Sequence, residues 1–297
     1  TRFVELLRLR NPRATIQDLT PILDELRSVK SPREIALVRR ASQLAGLGVL
    51  EAMRSTEPGA WEYQLDAVAR FVFLQNGARL DGYRSITASG TDNIWNGHYY
   101  SNDSQLREGD LVLMDYAPDY RYYVSDIGRM WPVGGSYAPW QRELLQFVLE
   151  WRNAVLPRIR PGVTTDAILA EARAAMEPVL ARTRFSKPEY EKAARKMLET
   201  SGGAFSHPVG MAVHDVGGYR DAPLRPGQVF ALDPQLWVPE DRLYIRYEDT
   251  VVVTETGVEN FTAFLPSELD AIEAVVRGKG VLQSLPALTE AGFDALR

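Results

Sequence analysis

Cysteine is absent from the 297 residues of this chain. Disulfide bridges, thiolate nucleophiles and cysteine-bound structural zinc are therefore excluded. Long apolar runs are absent as well. The richest stretches, such as Leu111 to Met114, have the length of a strand, whereas about 18 to 20 apolar residues are needed to cross a bilayer. We therefore expect no membrane partner and no transmembrane segment.

Basic residues are also in short supply, with 34 lysines and arginines against 39 acidic residues and a formal charge of -5. They do not gather in one tract, so nucleic acid is not an expected partner. With 45% hydrophobic residues, the chain can bury a core as one large domain or two ordinary ones. We expect a cytoplasmic protein, although export also tolerates a cysteine-free chain. Because the sequence starts at Thr1 instead of Met, an upstream signal peptide or domain is expected.

The first 30 residues differ in composition from the rest of the chain. Residues 1–30 mix short apolar groups with two prolines, and we interpret them as a linker or the tail of an N-terminal domain. Ser31, Pro32 and Glu34 then supply an N-cap, a first-turn proline and a capping-box glutamate, in that order. A long helix is therefore predicted to start there.

Helices and strands are predicted in alternating blocks. Helical spacing of apolar residues continues from Ile35 to near Glu57, and a second helix follows, with Leu65 and Val68 on its apolar face. From residue 84 to 133 short β-rich runs predict an antiparallel hairpin between 111–114 and 122–124. Strands are expected again up to residue 261. The remaining helices are predicted over 137–159, 165–180, 189–200 and 268–277.

The two blocks of strands contain a repeat. Gly109-Asp-Leu-Val-Leu-Met-Asp115 matches Gly227-Gln-Val-Phe-Ala-Leu-Asp233, from glycine to aspartate in six steps both times. Each copy is followed by a turn and a second strand with another acid, Asp126 in the first half and Glu248 in the second. The pattern predicts two related halves that bring four carboxylates to a shared axis.

Four carboxylates in an apolar setting would repel one another, and burying unpaired charge is expensive. Divalent cations would remove this penalty, and carboxylates with one histidine nitrogen suit Mn²⁺, Co²⁺, Fe²⁺ or Zn²⁺. The chain has three histidines, all in turns rich in Gly, Asn or Ser. Of His207 and His214, one can ligate a metal while the other faces substrate, and His98 could reach the same cleft.

Each of these residues has a simpler interpretation when taken alone. The aspartates at the strand ends could start turns before the prolines that follow. Glu248 could be an exposed edge charge, His207 a loop histidine bonded to backbone, and Asp126 an ion-pair partner of Arg129. The shared repeat positions favour the metal hypothesis over this set of separate explanations.

A family resemblance spans about residues 28–275 and rests on an ordered set of motifs. They are Lys30-Ser-Pro-Arg-Glu-Ile35, His98-Tyr99, Tyr-Val-Ser-Asp126-Ile-Gly-Arg, Ser-His207-Pro-Val-Gly and Arg246-Tyr-Glu-Asp249. This set resembles prolidases and aminopeptidases P. The resemblance implies an α+β pita-bread fold, in which helices cover a curved antiparallel sheet and two halves are related by a pseudo-two-fold axis. Residues 31–280 would form this catalytic domain and 281–297 a C-terminal tail.

The resemblance also implies a role for each residue. Two divalent metals, first Mn and otherwise Co, Zn or Fe, would activate the water that attacks a peptide carbonyl. Asp233 would act as general base as well as ligand. His98 and His214 would bind the carbonyl and stabilise the tetrahedral intermediate, while Arg246 would brace the ligands. The five metal ligands would be Asp115, Asp126, His207, Asp233 and Glu248.

His98 followed by tyrosine resembles the proline-directed branch of this family. The pair implies hydrolysis of Xaa-Pro bonds at the amino end of dipeptides or short peptides. A homodimer is also expected. Four positions depart from the family's pattern. Asp233 replaces a glutamate, Gly203 a histidine, Gln235 a glycine and Trp237 a tyrosine.

Three functions stay in competition. An Xaa-Pro aminopeptidase or dipeptidase is favoured, because all five ligand positions keep an acid or a histidine. A catalytically weakened or dead pita-bread domain that binds peptides is the second, and the exchange at Asp233 keeps it open. A metal-free hydrolase similar to creatinase is the third, but it would not need four aligned carboxylates.

Overall fold

A computed structural model of the chain describes residues 2–200 and 204–285. The helices are α1 (Arg2–Arg10), α2 (Thr20–Ser28), α3 (Pro32–Arg54), α4 (Glu62–Gln75), α5 (Gly90–Trp95), α6 (Pro139–Val155), α7 (Thr165–Arg182), α8 (Pro188–Glu199), α9 (Leu269–Val276) and α10 (Val281–Ser284), with 3₁₀ turns at Leu156–Arg158 and Pro239–Asp241. The strands are β1 (Leu80–Asp81), β2 (Ile86–Ser89), β3 (Leu111–Asp115), β4 (Pro118–Asp119), β5 (Gly128–Pro132), β6 (Phe205–Pro208), β7 (Val229–Leu232), β8 (Gln235–Val238), β9 (Leu243–Arg246), β10 (Asp249–Val253) and β11 (Val258–Asn260).

The predicted helices are present within a few residues of the expected bounds. At the start of α3, the Ser31 backbone N–H donates to Glu34 Oε2 at 2.7 Å and Ser31 Oγ accepts from the Glu34 N–H at 3.4 Å. This reciprocal pair satisfies backbone groups that the first helical turn leaves free, which is why the helix starts here. Leu44 and Ala45 of α3 and Leu65 of α4 are fully buried, so the helices face the core as predicted.

The two central sheets repeat the same order of strands. In the first half, β3 lies between β2 and β5, and in the second β7 lies between β6 and β10, all antiparallel. The central strand of each is the glycine-to-aspartate segment. The halves are joined where Gly128 pairs with Glu248, since each backbone N–H donates to the other's carbonyl, at 3.3 and 3.0 Å. The repeat in the sequence thus becomes two sheets that are joined by an isolated bridge between β5 and the residue ahead of β10.

One strand prediction is wrong. The partner of β3 is β5, with Leu113 opposite Met130, and not residues 122–124. Arg121 and Tyr122 have φ angles of 57° and 71°, which are incompatible with an extended strand, and they form a turn instead. Asp126 lies just ahead of β5, and Glu248 lies between β9 and β10, whereas both were expected on a strand.

The N-terminal segment, predicted as a linker or the tail of an N-terminal domain, contains two helices. It forms α1 and α2, and no residue of α1 is buried. Its end is attached to the second half, because the Lys30 N–H donates to the Gly227 carbonyl at 2.9 Å and Val29 pairs with Gln228. At the other end of the chain, α10 lies against Ser55, while residues 286–297 of the predicted tail lie outside the described part. Within that part, no helix is long and apolar enough to cross a membrane.

A buried ion network ties the halves together behind the sheets. Asp249 of β10 is fully buried. Its carboxylate accepts from Arg129 of β5 at 2.6 Å, and from Arg152 of α6 at 2.8 and 2.6 Å. Burial raises the pKa of Asp249, but the two guanidinium groups outweigh it and hold that pKa at about 2. Arg129 therefore pairs with Asp249, and the simpler interpretation of Asp126 as its partner is not observed.

This network predicts a large stability effect. Asp249→Asn leaves the Arg129 guanidinium, which is 1% exposed, without a full counter-charge, and should lower the free energy of unfolding by about 3 to 5 kcal/mol. Urea denaturation measures this loss. Glu259→Gln is the control, because it breaks an ion pair with Arg39 that is partly exposed on both sides and should cost less than about 1 kcal/mol. Equal losses in the two variants would contradict a clamping role for Asp249.

Candidate metal centre

Four acidic side chains converge where the two sheets meet. Asp115 ends β3 and Asp233 follows β7, while Asp126 and Glu248 precede β5 and β10. All four are at most 5% exposed. Oxygen atoms of Asp115, Asp126 and Glu248 lie within 4.8 Å of one another. The repeat thus brings the carboxylates together, although three of them, Asp126, Asp233 and Glu248, belong to connections and not to strands.

Backbone contacts hold the acids that are outside strands. The Asp126 N–H donates to Thr250 Oγ1 at 2.8 Å, and that hydroxyl donates back to the Asp126 carbonyl at 2.7 Å. The Asp233 N–H donates to the Ala204 carbonyl at 2.7 Å. Thr250 belongs to β10, so a residue of the second half orients an acid of the first.

The histidines occupy one side of the cluster. His207 of β6 has its Nε2 atom 3.1 Å from Asp126 Oδ2, and the centroids of the His207 and His214 rings are 3.9 Å apart. Donor atoms of Asp126, His207 and His214 form a second group within 4.8 Å, so Asp126 belongs to both groups. Burial, His207 and His98 lower the pKa of His214. His98 itself is exposed and belongs to neither group.

Arg246 is the cation that faces the cluster from β9. Its NH1 atom is 2.8 Å from Asp115 Oδ2, its Nε atom is 3.1 Å from Asp233 Oδ1, and its NH2 atom contacts Asp233 and Glu248. One guanidinium group therefore contacts three of the four acids, while its role in bracing metal ligands stays a prediction. Asp126 is left to His207.

The donor set fits divalent metal ions. Four carboxylates face one guanidinium group and one imidazole, so negative charge is in excess. Burial, together with Asp115, raises the pKa of Asp126 to about 6, and burial raises that of Glu248 well above its usual range. Glu248 Oε1 is buried and has no hydrogen-bond partner among the described residues. Oxygen donors with one imidazole are what Mn²⁺, Fe²⁺, Co²⁺ and Zn²⁺ accept.

Two further residues touch the cluster and were not predicted. The Tyr83 hydroxyl lies 2.6 Å from Asp115 Oδ1 and 3.1 Å from Asp126 Oδ1. The Gln235 amide donates to Asp233 Oδ2, and Trp237 Nε1 donates to Gln235 Oε1 at 3.3 Å. Tyr83 is a single tyrosine with no motif around it, so nothing in the sequence marks it. Gln235 carried a signal, since it departs from the family's pattern. Gly203, another departure, lies outside the described residues.

The sequence model of metallopeptidase family M24 matches residues 36–255 of the chain. The chain belongs to this family. It is 35% identical to the Xaa-Pro aminopeptidase of Escherichia coli (strain K12) over 278 residues, which cover 89% of this chain and 62% of that relative. The chain therefore spans less than two thirds of the length of that relative.

Solved structures agree with this M24 assignment. Proline aminopeptidase P II from Yersinia pestis superposes with a TM-score of 0.79 and 35% identity, covering 92% of this chain and 67% of that one. Zinc-substituted E. coli aminopeptidase P in complex with product gives 0.77 and 34%, covering 89% and 62%. The predicted family and the pita-bread fold are thus confirmed, and membership implies divalent metal ions. The individual ligand roles stay predictions.

The roles that the family resemblance implies predict how metal content responds to mutation. Asp126 lies in both donor groups, and His207 is its direct partner. Asp126→Ala and His207→Ala should therefore purify with little metal. His214 shares the second donor group but is exposed, and the resemblance makes it a substrate contact, so His214→Ala should keep its metal. Elemental analysis of the three proteins, dialysed against the same buffer, measures this. Equal loss of metal in all three would show that His214 is a ligand and not a substrate contact.

Proposed function

We propose that this chain is a peptidase dependent on two divalent metal ions, most favourably Mn²⁺, that hydrolyses Xaa-Pro bonds at the amino end of dipeptides or short peptides. The observation that carries the proposal is the convergence of four buried carboxylates with His207 beside Asp126, in an M24 chain with a curated Xaa-Pro aminopeptidase as relative. The names of the relatives favour an aminopeptidase over a dipeptidase.

In this proposal five side chains hold the metals: Asp115, Asp126, His207, Asp233 and Glu248. When bound, the metals supply Lewis acidity to the peptide carbonyl and lower the pKa of the attacking water. Tyr83 and Arg246 orient the carboxylates by hydrogen bonds from outside the ligand set. Since such contacts fix which oxygen faces inward, their loss would loosen the site without removing a ligand.

The chain's own residues then handle the proton and the developing charge. Asp233 is held by Arg246 through both of its oxygens and by Gln235 through Oδ2, so its carboxylate has one fixed orientation from which to accept the proton of the attacking water. His214, beside His207, donates a hydrogen bond to the carbonyl oxygen as it gains negative charge. His98, in the turn that follows α5, would contact the substrate as well.

The competing functions receive less support. A peptide-binding domain that had lost catalysis would not need to keep acids or histidine at all five positions. A metal-free hydrolase would have to leave Glu248 Oε1 buried without a partner, at a high energetic cost. The homodimer and the cytoplasmic location expected from the sequence complete the proposal, and light scattering on the purified chain tests the dimer.

The direct test measures metal content together with release of free proline. The Mn²⁺-loaded chain should release amino-terminal residues from Xaa-Pro peptides, and should cleave matched Xaa-Ala peptides at least about 10²-fold less efficiently, since a pocket shaped for proline loses its contacts. His214→Ala should retain metal and lose about 10²-fold in kcat. A chain that binds metal but cleaves Xaa-Ala equally well would contradict the proline specificity. A chain that binds none would contradict the proposal as a whole.

Asp233 gives a sharper prediction, because it is one methylene shorter than the family's glutamate. Its carboxylate already contacts Gln235 and Arg246 on both oxygens. An added methylene in Asp233→Glu would push the carboxylate into these partners, and overpacking of this kind is destabilising. We therefore expect about 10-fold or more loss of kcat, although the variant restores the family's residue.

Gln235 supplies the matched comparison. If Gln235 fills the space that the shorter acid leaves, the double variant Asp233→Glu/Gln235→Gly should recover activity that Asp233→Glu loses. Metal titration followed by Xaa-Pro cleavage compares the proteins. Tighter metal binding and higher activity in Asp233→Glu alone would show that the site is weakened by Asp233 and not rebuilt around it.

A further inference from the structure

The loop between His207 and His214 is closed by the residue that follows it. Asp215 donates its backbone N–H to the Pro208 carbonyl at 2.9 Å, and its carboxylate accepts from the Val216 N–H at 2.9 Å and the Met211 N–H at 3.3 Å. Although His214 is exposed, the side chain of Asp215 is 1% exposed. The carboxylate therefore sits beneath the loop and organises its backbone.

Two cations from the N-terminal segment neutralise this buried acid. Arg27, in the last turn of α2, donates to Asp215 Oδ1, and Lys30 Nζ lies 3.4 Å from Oδ2. The Lys30 side chain is 2% exposed, and its ammonium group has no hydrogen-bond partner in the described residues. Asp215 is thus its counter-charge. Removing one member of a buried pair leaves the other uncompensated, so neither charge is expendable.

The surroundings of this ion cluster allow it little freedom. A Cβ atom at Gly210 would overlap the Asp215 carboxylate and lie 2.8 Å from Lys30 Cε. The Gly210 carbonyl in turn accepts from the Val124 N–H at 2.9 Å, two residues ahead of Asp126. Lys30 also donates its N–H to Gly227, which starts the segment that ends at Asp233. One short segment therefore contacts both the histidine loop and the approach to an acid of the centre.

We propose that Asp215 is a positioning residue for His214, and that Arg27 and Lys30 hold it in place. The segment 27–30, which precedes the M24 match at residue 36, is then part of the functional site and not a linker. The ion cluster acts through the loop backbone, since none of its three members contacts the four acids of the centre. Its effect on the reaction rate rests on the proposed peptidase function, whereas its effect on His214 does not.

The presence of only three histidines in the sequence makes the positioning directly observable. In the full chain labelled with ¹⁵N-histidine and loaded with zinc, which is diamagnetic, each imidazole gives its own signals. Asp215→Asn should shift or broaden the His214 signals while those of His98 stay unchanged. Lys30→Met, which keeps the Arg27 contact and leaves no buried ammonium, should act in the same direction but less. Glu25→Gln is the control, because it breaks the exposed pair with Arg225.

Kinetics with an Ala-Pro dipeptide separate positioning from folding. Below the melting temperature of each variant, Asp215→Asn should lose about 10-fold or more in kcat at unchanged metal content, with KM altered far less. The double variant Lys30→Met/Asp215→Asn should lose no more than Asp215→Asn alone, because both act through one contact. Glu25→Gln should match the wild type.

Several outcomes would overturn the proposal. The proposal is wrong if the His214 signals are unchanged in folded Asp215→Asn, or in folded Lys30→Met if the first variant does not fold. It is also wrong if the His98 signals move as much as those of His214. Full additivity in the double variant would overturn it as well. A wild type that cleaves no Ala-Pro would instead count against the proposed function, and the imidazole signals, recorded without zinc if none binds, would still decide the positioning.

Discussion

A cluster of four buried carboxylates is the constraint on which the rest of this structure depends: three have oxygen atoms within 4.8 Å of one another, and Arg246 joins Asp233 to them. Buried charge is tolerated only when it is paired, protonated or bound to a cation. Arg246 reaches three of the acids and His207 the fourth, yet Glu248 Oε1 still has no partner among the described residues. This excess of negative charge is what makes the donor set suitable for divalent metals.

The fold satisfies this constraint by using the same arrangement of strands twice. Each half contributes a central strand with an acid at its end and a second acid ahead of the neighbouring strand, and the halves meet at Gly128 and Glu248. Asp249, the residue after Glu248, bonds to both Arg129 and Arg152 and so stabilises the same junction. Both the acidic cluster and this ion network therefore depend on the relative position of the two halves.

Much of this could be predicted from the sequence, where local chemistry decides the outcome. The capping box at Ser31 and the glycine-to-aspartate repeat each reflect local backbone requirements, and the acids of the centre follow from that repeat. The predicted hairpin partner of β3 was wrong because Arg121 and Tyr122 adopt positive φ angles. An apolar pattern in the sequence does not reveal such angles. Tyr83, Thr250 and Asp215 act through contacts far apart in the chain, and no local pattern encodes such contacts.

Converging acids that form a centre for two metals should hold both ions in one small volume. A crystal structure of the Mn²⁺-loaded chain, with anomalous diffraction recorded at the manganese edge, tests this most directly. We expect two anomalous peaks about 3.5 to 4 Å apart, both among the four carboxylates, with Asp126 in contact with each and the Arg246 guanidinium group outside the pair. A single peak, or peaks away from these acids with Arg246 still among them, would contradict it.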